Sequence, residues 1–352
     1  MVKLLRNIKI LQVIFLVLGL ALFFYIIYSV GVHQIWDSIR LVGFGFVFII
    51  LASAVRHLLR TVAWLNCIEE DHRNIRLWDL FNVRMAGDAV RMLSFTGPLL
   101  GETSKAVLIR KRLPMVHGMS SIIIENMTYT IGVIFVVITG LGLFIANYST
   151  RTSVKWAGAI MSICMVAALG IFQYLISRRV MAFSRAAGWL ASRTDIPWFK
   201  TQAVGIEETE TKIHDFYRRR GSTFYVVLAL AFAANFVNLF EVFLILYFIG
   251  VDATLLAAYI IEAMMKIVNI LFFFVPGQVG VLEGGNAFVF KVLGLGLAAG
   301  VTLSLIEKIR TIFWAGYGLA VWMHTFHKRS GDERRAASVA VNELSPKEVY
   351  ND

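Results

Sequence analysis

Long apolar runs, separated by short basic stretches, make up most of the chain. A helix that crosses a bilayer needs about 20 predominantly apolar residues, and six runs are that long or longer. They cover residues 10–30, 41–65, 119–148, 154–176, 222–249 and 297–326. The pattern predicts six membrane-spanning helices. The first run is too long for the core of a signal peptide, so we expect it to remain as an anchor.

The composition excludes most other kinds of protein. Apolar residues make up 58% of the 352 residues and charged residues only 16%, whereas soluble domains carry about 25% charged residues. A single soluble core cannot bury so much apolar surface, which excludes a soluble enzyme, a disordered chain and a secreted disulfide scaffold. The net charge is +11, but no nucleic-acid-binding motif interrupts the apolar runs, and we expect no nucleic-acid partner.

Lysine and arginine are concentrated in two loops and near both termini. The segments 67–117 and 177–220 are rich in them, whereas the loops on the opposite side carry few. The positive-inside rule therefore predicts a multi-pass membrane protein with both termini in the cytoplasm. Two termini on one side require an even number of crossings, which six full spans satisfy.

Two further apolar segments are interrupted by proline and glycine. The segment 77–112 breaks near Pro98, and the segment 253–295 breaks at Pro276. Broken backbone at membrane depth is tolerated only where protein or a water cavity covers it. We therefore expect two re-entrant hairpins that enter from opposite faces. The predicted fold is an all-α polytopic membrane protein with about six full spans and two re-entrant broken-helix hairpins.

The two hairpins are predicted to form an inverted repeat. When their prolines are superposed, Arg84 falls opposite Glu262, and Asp88 falls opposite Lys266. Each proline is followed by a glycine and then by a glutamate. Inverted repeats whose broken helices meet near the midplane are the architecture of many secondary transporters.

Several charged or polar residues lie within the predicted spans and hairpins, where an ionised side chain costs at least about 2.5 kcal/mol. They are Arg56, Arg60, Glu125, Asn126, Glu262, Lys266, Glu307 and Arg310. Two interpretations remain open. The charges could serve structure alone, with the two arginines of the second run paired with Glu102 or Glu125, and Glu262 with Lys266. Alternatively, they line a polar cavity for a charged substrate, which we favour because they cluster around the two breaks.

The breaks themselves are candidate binding elements. The free amides and the positive dipole end of a half-helix can receive an anionic group, and glycines let that group approach the backbone. The residues assigned to substrate binding on this ground are Pro98, Gly101, Glu102, Pro276, Gly277, Gly280, Glu283 and Gly284. The two glutamates either cap the half-helices or carry protons.

No catalytic motif is found. The chain has no nucleophile elbow, no H-E-x-x-H sequence and no P-loop. Its histidines, such as His57, His72 and His117, fall in loops or near the ends of spans, and its two cysteines have no metal-ligand spacing. We therefore expect no enzyme activity, no cofactor and no metal site.

The second break carries the clearest resemblance to a known family. The run from Pro276 to Gly284, followed by Leu293-Gly294 and by Arg310, resembles the signature of the lysylphosphatidylglycerol synthase transmembrane family, also called the flippase-like domain family. Pro98 to Glu102, with the basic run that follows, resembles the family's first motif. The likeness covers roughly residues 10–326, which we take as one transmembrane flippase-like domain.

The resemblance implies an inner-membrane protein that moves lipids or lipid-linked molecules between leaflets. The implied partners are membrane lipids with an anionic headgroup, or polyprenyl-linked or hopanoid-like ones, together with a homo-oligomer or a lipid-synthesis enzyme. Only 26 residues follow residue 326, so the aminoacyl-transfer activity of the full synthases is not expected. The alternatives are a membrane-embedded headgroup transferase and a non-transporting partner subunit of an envelope lipid pathway.

Two cytoplasmic segments complete the predicted organisation. Apolar and basic residues alternate at helical spacing in the loop 177–220, which either lies as amphipathic helices on an anionic leaflet or is a solvated charged loop. Within it, a helix is predicted over 205–220. The last segment, 327–352, is predicted to be a polar tail without regular structure.

Overall fold

A computed structural model describes residues 37, 40–93, 98–148, 152–193, 197–252, 254–271 and 281–344. Within these residues the chain forms eleven α-helices and one short 3₁₀ helix, and it contains no strand. The predicted all-α class is therefore confirmed. The first predicted span, 10–30, lies outside the described residues.

The helices fall into two groups of four and a connecting group of three. The first group is α1 (Gly45–Cys67), α2 (Leu77–Leu93), α3 (Pro98–Ile109) and α4 (Met115–Asn147). The connecting group is α5 (Thr152–Ser177), α6 (Ala182–Arg193) and α7 (Pro197–Arg219). The second group is α8 (Gly221–Phe248), α9 (Leu255–Leu271), α10 (Val281–Leu293) and α11 (Leu297–Leu344).

Helices occupy all five predicted spans that lie in the described residues. Four of them, α1, α4, α5 and α8, are long and apolar enough to cross a membrane. Helix α11 begins at the predicted residue, but three charged residues lie close together in it: Glu307, Lys308 and Arg310. It also continues to Leu344, so most of the segment expected to be an unstructured tail is helical.

Both broken segments form helical hairpins. In the first, α2 and α3 pack together so closely that a Cβ atom on Gly101 would lie 3.0 Å from the carbonyl oxygen of Gly87. In the second, α9 packs on α10, with Val268 against Gly285. Whether the hairpins are re-entrant in the bilayer stays a prediction.

The four-helix groups repeat at a constant offset. Helix α2 begins at Leu77 and ends at Leu93, and α9 begins at Leu255 and ends at Leu271, so both bounds are 178 residues apart. The same offset relates Pro98 to Pro276. The repeat therefore extends beyond the hairpins and includes the helix before each one and the helix after it.

The helices that precede the hairpins, α1 and α8, form the centre of the bundle and run antiparallel. At one end, the start of α1 meets the end of α8, where Gly45 lies against the ring of Phe248. At the other end, the Arg220 guanidinium donates to the carbonyl oxygen of Ile68 at 3.0 Å. The two hairpins consequently leave the α1/α8 pair at opposite ends of the bundle, as an inverted repeat requires.

The long helix of each group packs on the first hairpin helix of the other group. Helix α4 crosses α9 at Gly140, where a Cβ atom would lie 2.2 Å from that of Ala263. Helix α11 crosses α2 at Gly318, where a Cβ atom would lie 2.1 Å from the carbonyl oxygen of Met85. Both the glycines and the residues they meet are 178 positions apart. Small residues at crossings allow close backbone approach in membrane helices, so the same contact is used twice.

The connecting helices differ from the repeat. Helix α5 packs mainly on α4, and most of its described side chains are exposed or half-buried. Of the two alternatives for the loop 177–220, the structure has the helical one: α6 and α7 pack on each other, and α7 starts at Pro197 rather than at residue 205. That these helices lie on an anionic leaflet stays a prediction. The buried Glu210 of α7 accepts from the backbone amides of Phe183 and Ser184 at 3.2 and 2.9 Å, which satisfies free donors at the start of α6.

Candidate functional site

One carboxylate of α4 is shared by two arginines. Arg60 of α1 donates from Nε and Nη2 to the two oxygens of Glu125 at 2.9 and 3.0 Å. It also donates to the side-chain oxygen of Asn126 at 3.0 Å, and its guanidinium lies 3.9 Å from the ring centroid of Tyr129. Arg84 of α2 approaches the same carboxylate at 2.8 Å. The bidentate contact between Arg60 and Glu125 fixes the orientation of the guanidinium group.

A second carboxylate, from α8, is also shared by two arginines. Glu241 is fully buried and contacts Arg310 of α11 directly. The Nε atom of Arg56, on α1, lies 3.8 Å from the other oxygen of Glu241. That distance exceeds a hydrogen bond, and within the described part of the chain the buried Nε atom of Arg56 has no hydrogen-bond partner. Arg56 is therefore held more loosely than Arg60, although the two lie one turn apart on the same helix.

The cations and the acids of these two clusters differ in exposure. The side chains of Arg56, Arg60 and Arg310 retain 16%, 14% and 13% of their exposed surface. The carboxylates of Glu125 and Glu241 retain 4% and 0%. Each cluster contains two guanidinium groups and one carboxylate, so each carries a net positive charge whose accessible part is arginine.

The polar residues of the second hairpin pair mostly with one another. Glu262 and Lys266, one turn apart on α9, form an ion pair at 2.6 Å. Asn238 of α8 donates to the same glutamate oxygen. On the 178-residue offset Asn238 is the counterpart of Arg60, and Glu262 is the counterpart of Arg84, so equivalent positions contact each other in both halves.

Glu307 of α11 lies close enough to Glu262, Lys266 and Arg56 to interact with their charges. It is within hydrogen-bonding reach of Asn286 of α10. The buried amide of Asn286 donates to the hydroxyl of Ser304 at 2.7 Å, and that hydroxyl lies 3.1 Å from a backbone carbonyl oxygen of each helix, to either of which it can donate. A polar seam therefore joins α10 to α11.

A lysine forms ion pairs with two acidic residues of the first hairpin. Lys105 of α3 forms ion pairs with Asp88 of α2 at 2.9 Å and with Glu102 at 3.1 Å. Glu102 therefore pairs neither with Arg56 nor with Arg60, which corrects that part of the expected structural pairing. Gly101 lies at the close α2/α3 contact and Pro98 is the first residue of α3, so both belong to the first turn of that helix.

The second hairpin motif is only partly described. Pro276, Gly277 and Gly280 lie outside the described residues. Gly284 is exposed, and no atom of the described residues lies within 4 Å of the position of a Cβ. Glu283 forms an ion pair with the buried Lys308 of α11.

The 178-residue offset also changes which motif residues are equivalent. Glu102 and Glu283 are each the glutamate that follows the proline, and we matched them on that ground. The glycine crossings keep the offset constant on both sides of the motif, and an ungapped match then places Lys105 opposite Glu283. The charges at three matched positions are therefore reversed in sign between the halves: Arg84, Asp88 and Lys105 against Glu262, Lys266 and Glu283.

Sequence reasoning missed the central carboxylate. Glu241 is the only charged residue of the 28-residue helix α8, and a lone acid in a span satisfies the criterion that singled out Glu125. Arg84, Asp88 and Lys105 were noticed in the repeat or in the basic run but were not assigned to the site. Their opposite-sign matches in the second hairpin were the available signal.

The family model of the lysylphosphatidylglycerol synthase TM region matches residues 10–318. No curated protein and no solved structure matches the chain.

Proposed function

Because this chain belongs to the family of the lysylphosphatidylglycerol synthase TM region, and is thereby a multi-pass membrane protein of lipid metabolism or transport, we propose that it is a lipid flippase. It moves a lipid with an anionic headgroup, or a lipid-linked anion, between leaflets, and it does so without catalysing a reaction.

One observation carries this proposal: in the two arginine clusters around Glu125 and Glu241, the accessible side chains are cationic. The carboxylates of Glu125 and Glu241 are buried, whereas arginines that contact them keep some exposed surface. A guanidinium recognises phosphate and carboxylate through paired donors, and the buried Nε donor of Arg56 finds no acceptor among the residues that the structure describes. We assign Arg56 to the substrate and Arg60 to the support of the site.

The inverted repeat supports a transport function rather than a transferase reaction. Many transporters place their binding site between inverted repeats and expose it alternately by moving one repeat against the other. A headgroup transferase would instead need a carboxylate positioned as a general base. Glu125 and Glu241 each face two guanidinium groups, which favours the ionised, acceptor-only state and weakens them as proton acceptors.

We place the chain in the cytoplasmic membrane with both termini inside, and single cysteines test this orientation. Cys164 is exposed and Cys67 is buried, so Cys164→Ser provides the background. In intact cells, Asp252→Cys should react with an impermeant maleimide, whereas Arg110→Cys should react only after lysis. Labelling of Arg110→Cys in intact cells would show that the orientation is the opposite of the one proposed.

The function is tested by reconstitution into liposomes with a panel of headgroup-labelled lipids. The wild-type chain should move an anionic lipid between leaflets, measured as the accessibility of the label over time. Arg56→Ala should lower the rate about tenfold or more, because a hydrogen bond to a charged group contributes about 1.5–3 kcal/mol. The matched control is Arg76→Ala, which removes an exposed arginine from the loop before α2.

Each alternative gives a different result. A lipid of changed mass, formed only with the wild-type chain, would select the transferase. If liposomes that contain correctly folded wild-type protein exchange lipid no faster than empty liposomes, transport is excluded and the partner-subunit alternative remains. Equal rates for Arg56→Ala and Arg76→Ala would remove Arg56 from the site.

A further inference from the structure

A cluster of possible metal ligands lies at the end of the bundle where α1 ends. The side chains of Glu69, His72 and His117 bring one potential ligand atom each within 4.8 Å of one another. Glu69 follows α1, His72 ends the 3₁₀ helix after it, and His117 is in the first turn of α4. We propose that these three residues bind a divalent transition metal ion of the zinc class.

The histidine nitrogens are available for coordination. The Nδ1 atom of His72 is buried and has no hydrogen-bond partner among the described residues. The Nδ1 atom of His117 is also buried and faces Glu69, and the two ring centroids are only 4.4 Å apart. Buried polar atoms nearly always have a partner, and two charged imidazolium rings at this distance would repel each other. A shared metal ion satisfies both nitrogens and favours the neutral rings.

The carboxylate of Glu69 has the matching geometry. Its Oε2 atom lies 3.0 Å from Nδ1 of His117. Two ligand atoms of a tetrahedral zinc site, each at about 2.0–2.1 Å from the metal, lie about 3.3 Å apart, so a small shift suffices. The other oxygen, Oε1, accepts from Lys212 of α7 at 2.9 Å. Such a contact from outside the ligand set orients a metal-binding carboxylate.

A cavity of about 220 Å³ adjoins the cluster. Glu69 and His117 line it, together with Lys212, Arg219 and Arg220. Three protein ligands, two of them imidazoles, leave the fourth position of a tetrahedral zinc ion open. The cavity gives that position room for water or for an anion that the neighbouring cations attract.

The site is separate from the central arginines. Cys67, at the end of α1, lies eleven positions after Arg56 and seven after Arg60, which corresponds to about 16 Å and about 10 Å along a helix. A metal ion here would join the α1–α2 loop to α4, and through Lys212 to α7. The proposal therefore does not depend on the transport function.

The experiment uses the full chain, purified in detergent with an affinity tag that contains no histidine and stripped with a chelator. Zinc is titrated in competition with a chromophoric chelator, and cobalt is added separately to record its absorption spectrum. The wild-type chain should bind one zinc ion and give the intense visible absorption of four-coordinate cobalt. His72→Ala and His117→Ala should each weaken zinc binding by about 10-fold or more. His324→Ala, which removes an exposed histidine of α11, should bind as the wild type does.

Folding is followed through the melting temperature of the metal-free protein. If His72→Ala and His117→Ala melt as the metal-free wild type does, loss of binding reports the ligands themselves. Glu69→Gln, which keeps the shape of the side chain, provides the second variant if either alanine variant unfolds. Absence of stoichiometric zinc binding by the wild type would overturn the proposal, as would equal affinity in the folded His72, His117 and Glu69 variants.

Discussion

The two halves of the repeat share a frame and differ in charge. The frame is set by small residues: Gly140 and Gly318 make the same crossing in opposite directions. The charged positions have diverged. Arg84 reaches across to a carboxylate of another helix, whereas its counterpart Glu262 pairs with a lysine one turn away. The comparison shows that the close glycine contacts are the same in both halves although the charges at the matched hairpin positions are reversed, so this backbone approach does not depend on the sign of those charges.

The sharpest test of this difference removes one carboxylate from each half. Glu125→Gln leaves Arg60 and Arg84 without their buried partner, and breaking a buried pair in this way costs about 3–5 kcal/mol. Glu262→Gln leaves a single lysine that is 11% exposed and should cost clearly less. Unfolding in mixed micelles, followed by the fluorescence of the eight tryptophans, measures both. Equal losses would mean that the halves are supported in the same way.

The glycine crossings are tested next. Gly140→Ala and Gly318→Ala should each lower the free energy of unfolding by up to about 3 kcal/mol, because the added methyl group has no room. The two should differ in rescue. Gly140 meets the methyl group of Ala263, so adding Ala263→Gly should restore stability. Gly318 meets the backbone carbonyl of Met85, which no side-chain change removes. Gly142→Ala, where nothing lies within 4 Å, is the control.

The motif glutamates give a smaller difference. Glu283→Gln leaves Lys308, a lysine with 3% exposure, without the carboxylate that it contacts, and should cost about 2 kcal/mol. Glu102→Gln should cost less than about 1 kcal/mol, because Lys105 keeps its ion pair with Asp88. Melting temperatures of the two variants provide the measurement. If transport instead loses its pH dependence in Glu283→Gln while stability is unchanged, the glutamate carries protons.

The smallest expected effect comes from reversing the ion pair of α9. The double variant Glu262→Lys with Lys266→Glu gives the second hairpin the sign order of the first. Because the pair is retained, stability should stay within about 0.5 kcal/mol of the wild type. Glu262→Lys alone places two lysines one turn apart and should be less stable than the double variant. A double-mutant cycle isolates the coupling, and a coupling near zero would show that this pair contributes nothing.

The sequence was sufficient to predict the spans and the hairpins, but it did not predict which charged residues pair with each other. Apolar runs located the spans because about 20 residues of helix are needed to cross a bilayer, and the two prolines located the hairpins. Partner choice depends on the rotation of each helix and on the antiparallel register of α1 and α8, which hydrophobicity does not encode. Arg56 therefore meets Glu241 of α8 rather than Glu102. Likewise, His72 and His117 are 45 residues apart, and only folding places them together.

Helix α5 contributes little to the packed interior, yet the arrangement of the molecule depends on it. Most of its described side chains are exposed or half-buried, and its main contact is with α4. It is long and apolar enough to cross a membrane, and one crossing between the repeats sets the side from which α8 starts. With no crossing there, α8 would run parallel to α1, and the reciprocal glycine contacts could not form. A helix outside the packed interior thus accounts for the antiparallel orientation of the two halves.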